Sequence, residues 1–137
     1  MLQLIVGVKG TGKTKRLIQL VNEKAEASQG DVVCIEKGEK LRFDIKYQAR
    51  LINTDEYAIS GADGLYGFLA GILASNHDVT DVCVDSTLKI CNKDLSAFEA
   101  IVEPLNALAD KAGVQLTLTV SVAPEDLSVA TQKYVMK

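Results

Sequence analysis

Gly7, Gly10, Gly12, Lys13 and Thr14 carry the clearest chemistry in this sequence, within the run Gly-Val-Lys-Gly-Thr-Gly-Lys-Thr. Their spacing fits G-x-x-x-x-G-K-[ST], with an apolar stretch directly before it and a helical pattern directly after it. Glycines at these positions let the backbone wrap an anion so that its N–H groups point inward, and the start of the following helix adds a positive field. The expected ligand is a polyphosphate. It would be touched by Gly7, Val8, Lys9, Gly10, Thr11, Gly12, Lys13, Thr14 and Lys15, with Lys13 reaching the outer phosphates and the Thr14 hydroxyl on a Mg²⁺ ion that bridges them.

A phosphate-bound Mg²⁺ also needs a carboxylate at the end of a nearby strand. Asp85 closes the apolar run Val-Thr-Asp-Val-Cys-Val-Asp and is the first choice for that place. The rival is Asp55 with Glu56 in Leu-Ile-Asn-Thr-Asp-Glu-Tyr, an acidic pair on a less apolar strand. Ser86 and Thr87 follow Asp85 and could face the outer phosphate or cap the next segment.

These residues need a scaffold, and the chain predicts one. Residues 2–6, 31–36, 49–54, 79–85 and 114–122 read as strands, rich in β-branched and apolar residues. Between them, Leu17, Ile18, Val21 and Ala25, then Leu65, Phe68, Leu69, Ile72 and Leu73, then Leu95 to Ala109 recur at helical spacing. Gly113 should stop the last of these helices, Pro104 should kink it, and Pro124 should open a terminal helix. Strands alternating with crossover helices predict an α/β fold, a three-layer α/β/α sandwich around a mostly parallel sheet. Ligands of such sheets sit at the carboxyl ends of the strands. With 137 residues, a single domain over 1–137 is expected.

With the loop, the Asp-Ser strand and this order of elements in view, the chain resembles the P-loop NTPase superfamily, and within it a minimal RecA-like (ASCE-type) ATPase core. The resemblance spans roughly residues 1 to 121. It implies the P-loop NTPase fold, ATP and Mg²⁺ as ligands, a Walker B role for Asp85, and hydrolysis of the β–γ bond. In RecA-like proteins the glutamate that orients the attacking water comes from the end of the second strand, which offers Glu36 and Glu39 here; Glu56 is a third candidate. Lys13 would be the catalytic cation. Because sites of this family are often completed across an interface, the resemblance also admits a homo-oligomer or a protein partner.

Three functions stay open at this level: a slow ATPase, a nucleotide-dependent switch or scaffold that turns over only with a partner, and a small nucleoside-type kinase. The lack of a guanine-recognition motif favours ATP over GTP. A net charge of -3 supplies no global basic field, so nucleic acid is not an expected partner. The basic stretch Lys37, Lys40, Arg42, Lys46 and Arg50 reads as a solvated connection; His77 reads as a surface residue. Three cysteines without paired spacing predict neither a disulfide framework nor a zinc site, and together with the absence of a membrane-length apolar run they point to a cytoplasmic protein without membrane insertion.

Overall fold

The computed structural model describes residues 1–136. Its five strands are β1 (Leu2–Gly7), β2 (Asp31–Glu36), β3 (Ala49–Asn53), β4 (Val79–Val84) and β5 (Gln115–Ser121). Every pairing is parallel, in the order β1-β5-β4-β2-β3. The sheet is thus wholly rather than mostly parallel. Strands buried on both faces need apolar residues at nearly every position, which is why Asp31–Glu36 and Val79–Val84 lack polar alternation.

Helix α1 (Lys13–Ala27) lies alone on one face, where Leu17 and Val21 pack with Ile5, Val32, Cys34 and Cys83. Helices α2 (Gly61–Ser75), α3 (Thr87–Ile90) and α4 (Leu95–Ala112) cover the other. There Leu65, Leu69, Phe98, Val102 and Leu105 meet Leu4, Ile35, Val84, Leu116 and Leu118 in the larger core. Full burial of each such side chain stabilises the fold by about 1.5–3 kcal/mol.

The ends of α4 follow local rules. Asp94 caps its start by accepting from the Ala97 N–H, and Gly113 in the left-handed region ends it. The helix continues through Pro104 as a single element, with that proline on the exposed side where water can take the carbonyl its missing N–H leaves free.

The carboxyl-terminal region departs from expectation. Pro124 opens only a 3-10 turn, Pro124–Asp126, because Leu127 then turns extended and buries itself. Ser128 caps a separate short helix, α5 (Val129–Gln132). Beyond it the chain returns to the sheet: the Leu4 N–H donates to Tyr134 and the Met136 N–H to Leu4, covering the outer edge of β1. Among the described residues no helix is long and apolar enough to cross a membrane.

Candidate functional site

The glycine-rich loop links the carboxyl end of β1 to the first residue of α1. Gly10 (φ 88°) and Gly12 (φ 84°) take left-handed backbone that other residues reach only with strain. Thr11 folds inward, its hydroxyl donating to the Val8 carbonyl at 2.8 Å. A Cβ on Gly7 would stand 2.5 Å from that hydroxyl, so this tuck requires a glycine there.

Beneath the loop, the Lys13 ammonium donates to the same Val8 carbonyl at 3.0 Å. Burial lowers the Lys13 pKa, and the Asp85 charge opposes that shift. The backbone N–H groups of residues 9–14 have no acceptor among the described residues. Lys9, Gly10, Thr11, Gly12, Thr14 and Lys15 are exposed around them, so the loop offers a row of free donors over one buried cation.

Asp85 directly follows β4. Only 6% of it is exposed, and its carboxylate accepts from Thr119 at 2.7 Å and from Thr14 at 3.2 Å to either oxygen. Ser86, turned left-handed at φ 56°, adds a longer contact at 3.4 Å while its N–H donates to Thr119. The Asp85 N–H donates to the Ile35 carbonyl, fixing the turn to β2. Among the described residues no cation lies within ion-pair distance of this carboxylate.

A hydroxyl and a buried carboxylate that share one space, close to a row of free N–H groups, are a hard oxygen donor set. Such a pair suits Mg²⁺, which takes one or two protein oxygens and completes its shell with phosphate oxygens and water. Thr14 and Asp85 are the residues that would hold it.

The candidate glutamates fall in different places. Cys34 of β2 lies opposite Cys83 of β4, and Ile35 opposite Val84, so Glu36 comes next in register to Asp85 on the α1 face. Glu36 is 4% exposed, and its carboxylate accepts from the Lys40 and Leu41 N–H groups at 3.0 and 3.1 Å. Burial raises the Glu36 pKa, those two bonds oppose the rise, and the Asp85 charge adds to it. Glu39 is exposed and faces Arg42 at 3.7 Å. Glu56 sits in the 3-10 turn Thr54–Tyr57 after β3, with Asp55 paired to Lys37 at 2.6 Å. Four strand spacings separate β3 from β1, roughly 19 Å. Asp55 and Glu56 follow the edge strand, two places from β4, and among the described residues neither makes a hydrogen bond or ion pair to the loop or to Asp85.

Two relationships were not read from the sequence. One is Thr119, 2% exposed, which joins Asp85 to the Ser86 backbone. Its signal was the alternation of Thr117 and Thr119 in β5, polar residues repeated on one face of a buried strand. The other is strand adjacency: β4 is not the neighbour of β1, because β5 lies between them. Away from the site, His77 lines a cavity at the amino ends of the strands with Leu73, Leu108 and Lys111. All three cysteines are free and buried, and burial pushes the Cys83 thiol up to about 12.

No model of a known protein family matches the chain, and no curated protein matches it.

Proposed function

We propose that this protein binds ATP with Mg²⁺ in a P-loop at the carboxyl end of β1 and slowly hydrolyses the β–γ phosphate bond, as a minimal RecA-like core. The observation that carries the reading is the meeting of Thr14 with Asp85 at 3.2 Å beside the free N–H groups of the loop. A nucleotide's phosphates would take those N–H groups, and Lys13 would exchange the Val8 carbonyl for phosphate oxygens. When bound, Mg²⁺ would neutralise charge building on the β- and γ-oxygens.

Support for the RecA-like subclass comes from the strand after β4 lying between the loop strand and the Asp85 strand, and from a glutamate at the end of β2 beside Asp85. Glu36 is accordingly our candidate to orient the attacking water. Each of its oxygens accepts one backbone N–H, from Lys40 and Leu41, so the carboxylate is tied to the 37–41 turn while keeping a lone pair on each oxygen for water. That engagement favours a second reading, a nucleotide-dependent switch whose turnover waits on a partner that moves the 37–41 turn.

The test is release of ADP and phosphate from ATP with Mg²⁺ by the wild type, Lys13→Ala and Glu36→Gln. Turnover that falls in both variants supports the ATPase. Equal rates in all three would refute it, and tight binding without turnover would select the switch.

A further inference from the structure

Helices α2 and α4 lie on the same face of the sheet, and a cleft of about 520 Å³ opens between their last turns. It sits at the amino ends of β4 and β5, the opposite end of the sheet from the glycine-rich loop. Leu73, Val79 and Val114, all buried, and the half-buried Leu108 give it apolar walls. The space is there because the helices carry small residues beside it, Ala70 and Ala74 on α2 and Ala112 on α4. Small-molecule sites are mostly apolar cavities of roughly 300–1,000 Å³ with a few polar groups that fix orientation.

Three polar residues stand around this cleft, and one of them is already committed. The Asn76 amide donates to Asp31 at 2.9 Å and its oxygen accepts the Asp78 N–H at 2.9 Å. His77 and Lys111 are exposed, and among the described residues neither has a hydrogen-bond or ion-pair partner. No carboxylate lines the cleft, and Asp110, beside Lys111 in sequence, is paired with the amino terminus at 3.2 Å. The groups left free are thus an ammonium and an imidazole, both able to donate to an anion.

A lysine in the last turn of α4 is favoured by the helix dipole, which accounts for Lys111 alone. It does not account for an apolar cleft left open beside that lysine. The carbonyls that end both helices disfavour an anion deep in the cleft, so the charge of a ligand belongs at the rim and its apolar part inside. No Phe, Tyr or Trp lines the walls, so a ring would find no stacking partner, whereas an aliphatic chain matches leucine, valine and alanine.

We propose that this cleft binds a free medium-chain aliphatic carboxylate, its chain against Leu73, Val79, Leu108 and Val114 and its carboxylate at the rim with Lys111 and His77. Burial of the chain supplies the affinity, and the two donors select the acid over a neutral chain of the same length. The proposal does not rest on nucleotide binding.

Titration of the full chain with sodium hexanoate, octanoate and decanoate below their micelle-forming concentrations, and with 1-octanol, tests it, read by calorimetry and by amide chemical shifts in NMR. Saturable shift changes should gather at residues 70–79 and 108–114, and each added methylene should tighten binding by about fourfold. Lys111→Met keeps most of the side chain without the charge; it should weaken octanoate by about fivefold and leave 1-octanol unchanged. Ala70→Phe and Ala112→Phe, one from each wall, should fill the cleft and abolish binding of every chain in whichever of them circular dichroism shows to be folded. Shift changes that never saturate or that lie elsewhere overturn the proposal, as do affinities that ignore chain length. Octanol that binds as tightly as octanoate, a Lys111→Met variant without effect, or a folded filled variant that still binds also overturns it.

Discussion

The hydroxyl of Thr14 lies 3.2 Å from each carboxylate oxygen of Asp85, although the two residues are 71 positions apart in the chain. Thr14 lies in the first turn of α1, just after the loop; Asp85 directly follows β4, which stands two places from β1 in the sheet. Asp85→Asn keeps the shape and removes the charge, so it should lower affinity for Mg-ATP by about tenfold or more. ATP measured in excess EDTA should lose little. Calorimetry with and without the metal checks this, and an equal loss in both conditions would speak against a metal role.

Thr119 gives a prediction about stability. Thr119→Val removes the donor to Asp85 and the acceptor of the Ser86 N–H, leaving buried polar atoms unpaired. Denaturant unfolding should show a loss of about 1–3 kcal/mol. A change near zero would mean that the turn after β4 relaxes freely.

Much of this arrangement was legible in the residues. The strands Asp31–Glu36 and Val79–Val84 stand within one residue of their apolar runs, because continuous β-branched burial leaves few alternatives. The left-handed Gly10 and Gly12 could be anticipated from the glycine spacing. Strand order could not, since an apolar pattern says that a strand is buried and not beside which neighbour. For that reason Glu36 could not be placed next to Asp85, nor Glu56 at the far edge, before the pairing of β2 with β4 was known. The short α3 was missed because four residues carry too little periodicity, and the turn at Pro124 was overextended because burial of Leu127 overrides the helix-start signal.

Glu36 predicts a pH dependence. Its folded pKa lies above the ordinary value of 4.5, so the folded chain holds this proton more tightly than the unfolded chain does. The contribution is fully present below 4.5 and is lost as pH rises through the raised folded value. Urea unfolding across that window should show a declining term in the wild type that Glu36→Gln lacks. Parallel pH profiles would mean that the carboxylate titrates normally.

Glycines separate scaffold from site. A Cβ on Gly30 would overlap the Asp78 carbonyl oxygen, a backbone atom, so Gly30→Ala should destabilise by about 1–3 kcal/mol. Gly12→Ala meets no atom but strains a left-handed residue by about 1–2 kcal/mol. At a temperature where both variants are folded, ATP affinity should fall in Gly12→Ala and persist in Gly30→Ala. Thermal unfolding curves fix a temperature at which both variants are folded, titration there checks the contrast, and equal affinities would detach the loop's shape from binding.

The most direct measurement is calorimetric titration of ATP with Mg²⁺ into the wild type and Lys13→Ala. Our account predicts saturable binding by the wild type, stronger with the metal than without, and its loss in a variant that remains folded. A folded wild type that binds no ATP, or a Lys13→Ala variant that binds equally well, would contradict it.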